Sequence, residues 1–96
     1  MGGNTFYQIG KGRTVEEAFR NAVEQAQYEN GHGGYTGTLA EKHSYVVITL
    51  PEGIEARDYA TLLIDKDDER IEDKWGPAGA LPIGLFEWLF FGWANS

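Results

Sequence analysis

Apolar residues recur along this chain in two rhythms, a three-and-four spacing in two stretches and unbroken or alternating runs in four others. Val15, Ala18, Phe19, Ala22, Val23 and Ala26 line one face of a predicted helix, with Glu16, Arg20, Asn21, Glu24 and Gln25 opposite. Thr14-Val15-Glu16-Glu17 opens it as a capping box, and Gly31 closes it after Glu29 or Asn30. Ala56, Tyr59, Ala60, Leu63 and Ile64 predict a second helix from Glu55 to about Asp67. The β-forming residues 5–9, stopped by Gly10-Lys11-Gly12, predict a first strand. Residues 44–50 are apolar on both faces, which suits a central strand, and Pro51-Glu52-Gly53 ends it. A short strand follows at residues 81–83. Within residues 85–93, Phe86, Leu89, Phe90 and Trp93 fit a helical stripe, yet the aromatic density and the flanking glycines favour a strand. The order β-α-β-α-β-β predicts one α+β domain over residues 1–96, a mainly antiparallel sheet with two helices on one face.

Between the first helix and the predicted central strand lie residues 28–43, longer than a plain connector requires. This stretch holds glycines at 31, 33, 34 and 37 and both histidines of the chain. Gly33, Gly34 and Gly37 offer backbone amides, His32, Thr36, Thr38, Lys42 and His43 add polar groups, and Tyr35 adds a stacking ring. Thr38-Leu39-Ala40-Glu41 reads as a second capping box, whose amides beside Lys42 would suit an anion. Neither the P-loop spacing nor G-x-G-x-x-G is present, so composition rather than motif carries the reading of a phosphate or ribose cradle. The rival reading is an irregular loop whose glycines only turn the chain.

Trp75, in Lys74-Trp75-Gly76-Pro77, is either a core ring beside a turn or an indole that stacks on a base next to the first loop. His32 and His43 without cysteine make a poor metal signature, and no cofactor is implied. Acid–base chemistry would require a histidine to meet Glu41 across a ligand, and no nucleophile elbow exists, so no catalytic residue is assigned. The acidic residues 65–73 fail as a calcium loop, because Arg70 stands where glycine is needed and Gly76 where glutamate is needed; a hydrated face is the simpler reading.

Charge then narrows the partners. The chain has 15 acidic against 8 basic side chains and a net charge of −7, which opposes binding to a nucleic-acid polymer but leaves room for a small anionic, nucleotide-like ligand. The absence of cysteine fits a reducing cytoplasm, and no signal pattern or membrane-spanning run is apparent. Because residues 85–93 are apolar on both faces, one face is expected to pack under the helices and the other against a second copy, giving a homo-oligomer.

Two stretches, residues 26–42 with Gly33-Gly34-Tyr35-Thr36-Gly37-Thr38-Leu39-Ala40-Glu41-Lys42 and residues 74–79 with Lys74-Trp75-Gly76-Pro77-Ala78-Gly79, resemble small accessory proteins of tailed bacteriophages, particularly those of actinobacteria. The resemblance extends over most of the chain and implies a phage protein acting in the host cytoplasm. Phage proteins of this kind include inhibitors of bacterial immunity, some of which sequester nucleotide signals at oligomer interfaces. The first expectation is therefore a non-catalytic sponge for a nucleotide signal. In it, Gly33, Gly34, Thr36, Gly37 and Thr38 contact phosphate or ribose, Lys42 supplies charge, and Tyr35 or Trp75 stacks on the base. The second is a protein–protein inhibitor of a host enzyme, acting through the acidic face, residues 65–73, or the aromatic strand. The third is a small hydrolase using His32 or His43 with Glu41.

Overall fold

The computed structural model describes residues 3–30 and 36–95. In chain order it forms β1 (Gly3–Lys11), α1 (Val15–Asn30), a 3-10 turn (Leu39–Glu41), β2 (Tyr45–Val47), α2 (Ala56–Asp65), β3 (Ala78–Gly84) and β4 (Glu87–Asn95). The four strands make one mixed sheet in the order β1-β4-β3-β2. β1 and β4 pair antiparallel without interruption from Gly3↔Asn95 to Lys11↔Glu87. β4 also pairs antiparallel with β3. Parallel pairing of β2 with β3, from Tyr45↔Ala78 to Val47↔Ala80, follows from the crossover through α2. The α+β class and the order of elements are those the periodicity predicts.

The helices, however, lie on opposite faces of the sheet, not on one. Successive strand residues point to opposite sides, and in β4 the consecutive residues Leu89, Phe90 and Phe91 are all buried. Phe90 and Ala94 pack with Ala18, Ala22 and Ala26 of α1. Leu89 and Phe91 pack with Ala60, Leu63 and Ile64 of α2. The second face of the aromatic strand is thus covered by α2, where a second copy was expected. The centre of the sheet is β4 with β3; residues 44–50 contribute only a three-residue edge strand, its Val47 half exposed.

Small residues set the α1 approach. A Cβ at Gly10 would meet the Ala18 carbonyl oxygen and would lie 2.9 Å from the Ala22 methyl, so a glycine there lets the alanine face of the helix close onto β1. The predicted cap forms, with the Glu17 amide donating to Thr14 Oγ1 at 3.1 Å and the Arg13 amide donating to Glu17 Oε1 at 2.7 Å. Asn21 Nδ2 donates to the Lys11 carbonyl at 2.8 Å and ties the helix to the end of β1. Beyond, Phe19, Tyr45 and Phe90 form a tilted aromatic cluster, with centroids 5.0 Å apart for Phe19–Tyr45 and 5.4 Å for Phe19–Phe90.

On the other face, α2 stops at Asp65; Lys66 caps it and Asp67 takes a positive φ of 52°. The acidic segment after it is a clasp around one apolar plug. Asp68 accepts from Arg70 Nε and Nη2, both at 2.9 Å, and from the Arg70 amide at 3.0 Å. These bonds hold the Asp68 carboxyl down at about 2. Ile71 then turns inward, fully buried against the α2-side core.

Candidate functional site

From Thr36 onward the glycine-bearing loop folds onto itself. Gly37 adopts φ 71°, and a Cβ on it would lie 2.6 Å from Asn4 Nδ2, so glycine serves both the turn and the close pass over β1. Thr38 caps the 3-10 turn: its Oγ1 accepts from the Ala40 amide at 3.2 Å, while its own amide donates to Thr36 Oγ1 at 3.2 Å. Glu41 Oε2 accepts from the Gly37 amide at 2.6 Å and from the Thr36 hydroxyl at 3.3 Å. The box therefore reaches one residue further back than the standard pattern, as the Glu17 box does. Leu39 closes the turn by burying itself against α1 and β4.

Amides expected to cradle an anion are thereby spent. Those of Gly37, Thr38 and Ala40 all donate within the turn. His32, Gly33, Gly34 and Tyr35 lie outside the described residues.

Lys42 does something other than face a ligand. Its side chain is only 4 % exposed, and Nζ donates to the Lys74 carbonyl at 3.0 Å and to the Gly76 carbonyl at 2.8 Å. Burial lowers its pKa from the ordinary 10.5, with Glu41 and Asp73 pulling the other way. The expectation that Lys42 supplies charge to a ligand gives way to a staple. A buried ammonium is tolerated when carbonyls satisfy it, and here the carbonyls belong to the second glycine-bearing segment. The two motifs of the chain, 32 and 34 residues apart at these bonds, are joined through this one side chain.

The stapled segment also carries hydrogen bonds of its own. The Trp75 amide donates to Asp73 Oδ1 at 2.9 Å, the Gly76 amide to the Asp73 carbonyl at 2.8 Å, and the Ala78 amide to the Ser44 carbonyl at 3.0 Å. Trp75 sits on this turn 67 % exposed, so it is not the core ring of the alternative reading. His43 is exposed immediately after Lys42. The structure brings Thr36, Gly37, Thr38, Lys42 and the Trp75 turn to one end of the sheet, where β1 starts and β4 finishes.

One feature of the opposite end was not singled out in the sequence. A hollow of about 450 Å³ opens between the sheet and the start of α2, lined by Ile9, Leu50, Ile54, Arg57, Ile83 and Leu89 among others. These residues come from five separate segments, none conspicuous in itself. The only sequence signal nearby is Leu85-Phe86, an apolar pair at a hairpin tip.

Among the described residues no three His, Asp or Glu side chains converge as a metal site requires, and no helix is long and apolar enough to cross a membrane. No family model matches the chain, and no curated protein or solved structure is significantly similar to it.

Proposed function

We propose that this protein is a non-catalytic binding module for a small nucleotide-derived ligand, with the Trp75 indole as the platform for its base. The observation that carries the reading is a two-thirds exposed tryptophan on a turn fixed by Asp73 and by the buried Lys42 staple. A pre-organised aromatic surface binds with little ordering cost, and stacking tolerates any base. Phosphate contacts fall to groups other than the Lys42 ammonium and the amides of Gly37, Thr38 and Ala40. Commitment of Glu41 Oε2 to Gly37 and Thr36 favours binding over acid–base chemistry. In the phage setting that the resemblance implies, the ligand would be an immune signal in the host cytoplasm and the protein a sponge for it. The rival, a contact with a host enzyme, retains the exposed acidic segment around Asp67 and Glu69 and, of residues 85–93, the exposed Leu85 and Phe86 but not Leu89, Phe90 and Phe91, which are interior.

A thermal-shift and tryptophan-fluorescence titration against cyclic dinucleotides and ADP-ribose derivatives tests this. A binder raises the melting temperature by mass action, and Trp75→Ala weakens it by roughly 5- to 150-fold, the range of one base stack. Absence of any shift across the panel at saturation overturns the reading.

A further inference from the structure

We infer that the end of the sheet remote from Trp75 is a self-complementary interface at which two copies of this chain associate, each docking its Leu85-Phe86 tip against the other's apolar hollow. Exposed apolar side chains gather at this end: Leu85 at 86 %, Phe86 at 53 % and Ile9 at 51 % exposure, with Ile54 and Ile83 beside them. Leu85 and Phe86 form the two-residue turn between β3 and β4. Such turns favour Asn, Asp and Gly, which supply positive φ. Among the described residues Asp67 is the only non-glycine with positive φ, so neither Leu85 nor Phe86 serves the turn in that way. Their apolar character goes unrewarded within the monomer, the kind of local conflict that marks an interaction site.

The hairpin is also shaped at its end. Pro82 pairs with Trp88 and Gly84 with Glu87, which leaves Ile83 as an extra residue in the ladder. A bulge of this sort re-aims a side chain, and Ile83 lines the hollow. One end of one chain thus carries both an apolar projection and an apolar recess, the two halves that an isologous two-fold contact needs.

Charge supports a second copy over a foreign partner. Glu55 and Arg57 both line the hollow. Glu55 makes no side-chain cap bond, and the Arg57 guanidinium lies 4.3 Å from the Tyr7 ring centroid with no carboxylate partner among the described residues. A two-fold axis beside the hollow would set each copy's Arg57 opposite the other's Glu55, a pairing that a second copy supplies from the same two residues.

Sedimentation equilibrium of the intact protein, from about 1 μM to about 1 mM, covers the range of weak to moderate association. The wild type should move from 10.7 kDa toward twice that mass. Leu85→Ser with Phe86→Ser, at exposed positions, should hold it monomeric across the range with an unchanged circular dichroism spectrum. As a second variant, Arg57→Glu should weaken association at least tenfold, and adding Glu55→Arg should restore it. A wild type that stays monomeric at the highest concentration overturns the inference, as does a dimer that survives the Leu85 and Phe86 changes, since pairing must then use another surface such as the β1 edge.

Discussion

The two ends of the sheet treat their sequence in opposite ways. At the end where Gly3 pairs with Asn95, glycines, threonines and a lysine look like a ligand cradle, yet their described groups bond one another: Thr36 with Thr38, Gly37 with Glu41, Lys42 with Lys74 and Gly76. At the end where Lys11 pairs with Glu87, ordinary apolar residues look like core, yet Ile9, Ile83, Leu85 and Phe86 remain partly or largely exposed. Polar richness marked a turn that needed many internal bonds. Apolar plainness concealed surface that no described residue of the monomer covers.

The contrast breaks most visibly through paired truncations. Leu39→Ala removes the buried plug that seats the polar turn and should cost about 2–5 kcal/mol in denaturant unfolding, while Leu85→Ala at the other end should stay within about 0.5 kcal/mol in the monomer. Equal losses at both positions would erase the distinction.

Next in size is the staple. Lys42→Met leaves the Lys74 and Gly76 carbonyls without their charged donor and should cost about 2–3 kcal/mol. Its pH signature is specific. The folded pKa is lowered, so between it and 10.5 the unfolded chain holds the proton more tightly, and stability gains a component that rises with pH. That alkaline component should vanish in Lys42→Met when the two pH–stability curves are subtracted.

Much of this architecture was legible. The alanine-bearing face and the Thr14–Glu17 cap set out α1, and α2 was foreseen to within the turn at Lys66 and Asp67 that ends it. β4 could be read as a strand from its aromatic density. What covers it could not, because an unbroken apolar run says that both faces are buried without saying by what; α2 and Ile71 supply the answer. Lys42 was visible as a donor, but its acceptors are carbonyls whose positions depend on the whole sheet. Ile71 was lost among charges because a single apolar residue has no periodicity.

A smaller effect separates the acidic clasp from a merely hydrated face. Asp68 is held at about 2 against an ordinary 3.8, so its contribution is complete above 3.8 and fades as pH falls through 2. The pair is exposed, so Asp68→Asn should cost less than about 1 kcal/mol at neutral pH. Its expected mark is a flatter acid limb in the pH–stability curve, and an unchanged limb would count against the clasp.

Amide hydrogen exchange by NMR addresses the staple and the turn together. The amides of Gly37, Ala40, Trp75 and Gly76 should exchange far more slowly than an unstructured loop in the wild type, and those of Trp75 and Gly76 should accelerate in Lys42→Met while the core of β4 stays protected. Exchange of all four at unstructured rates in the wild type would contradict the account.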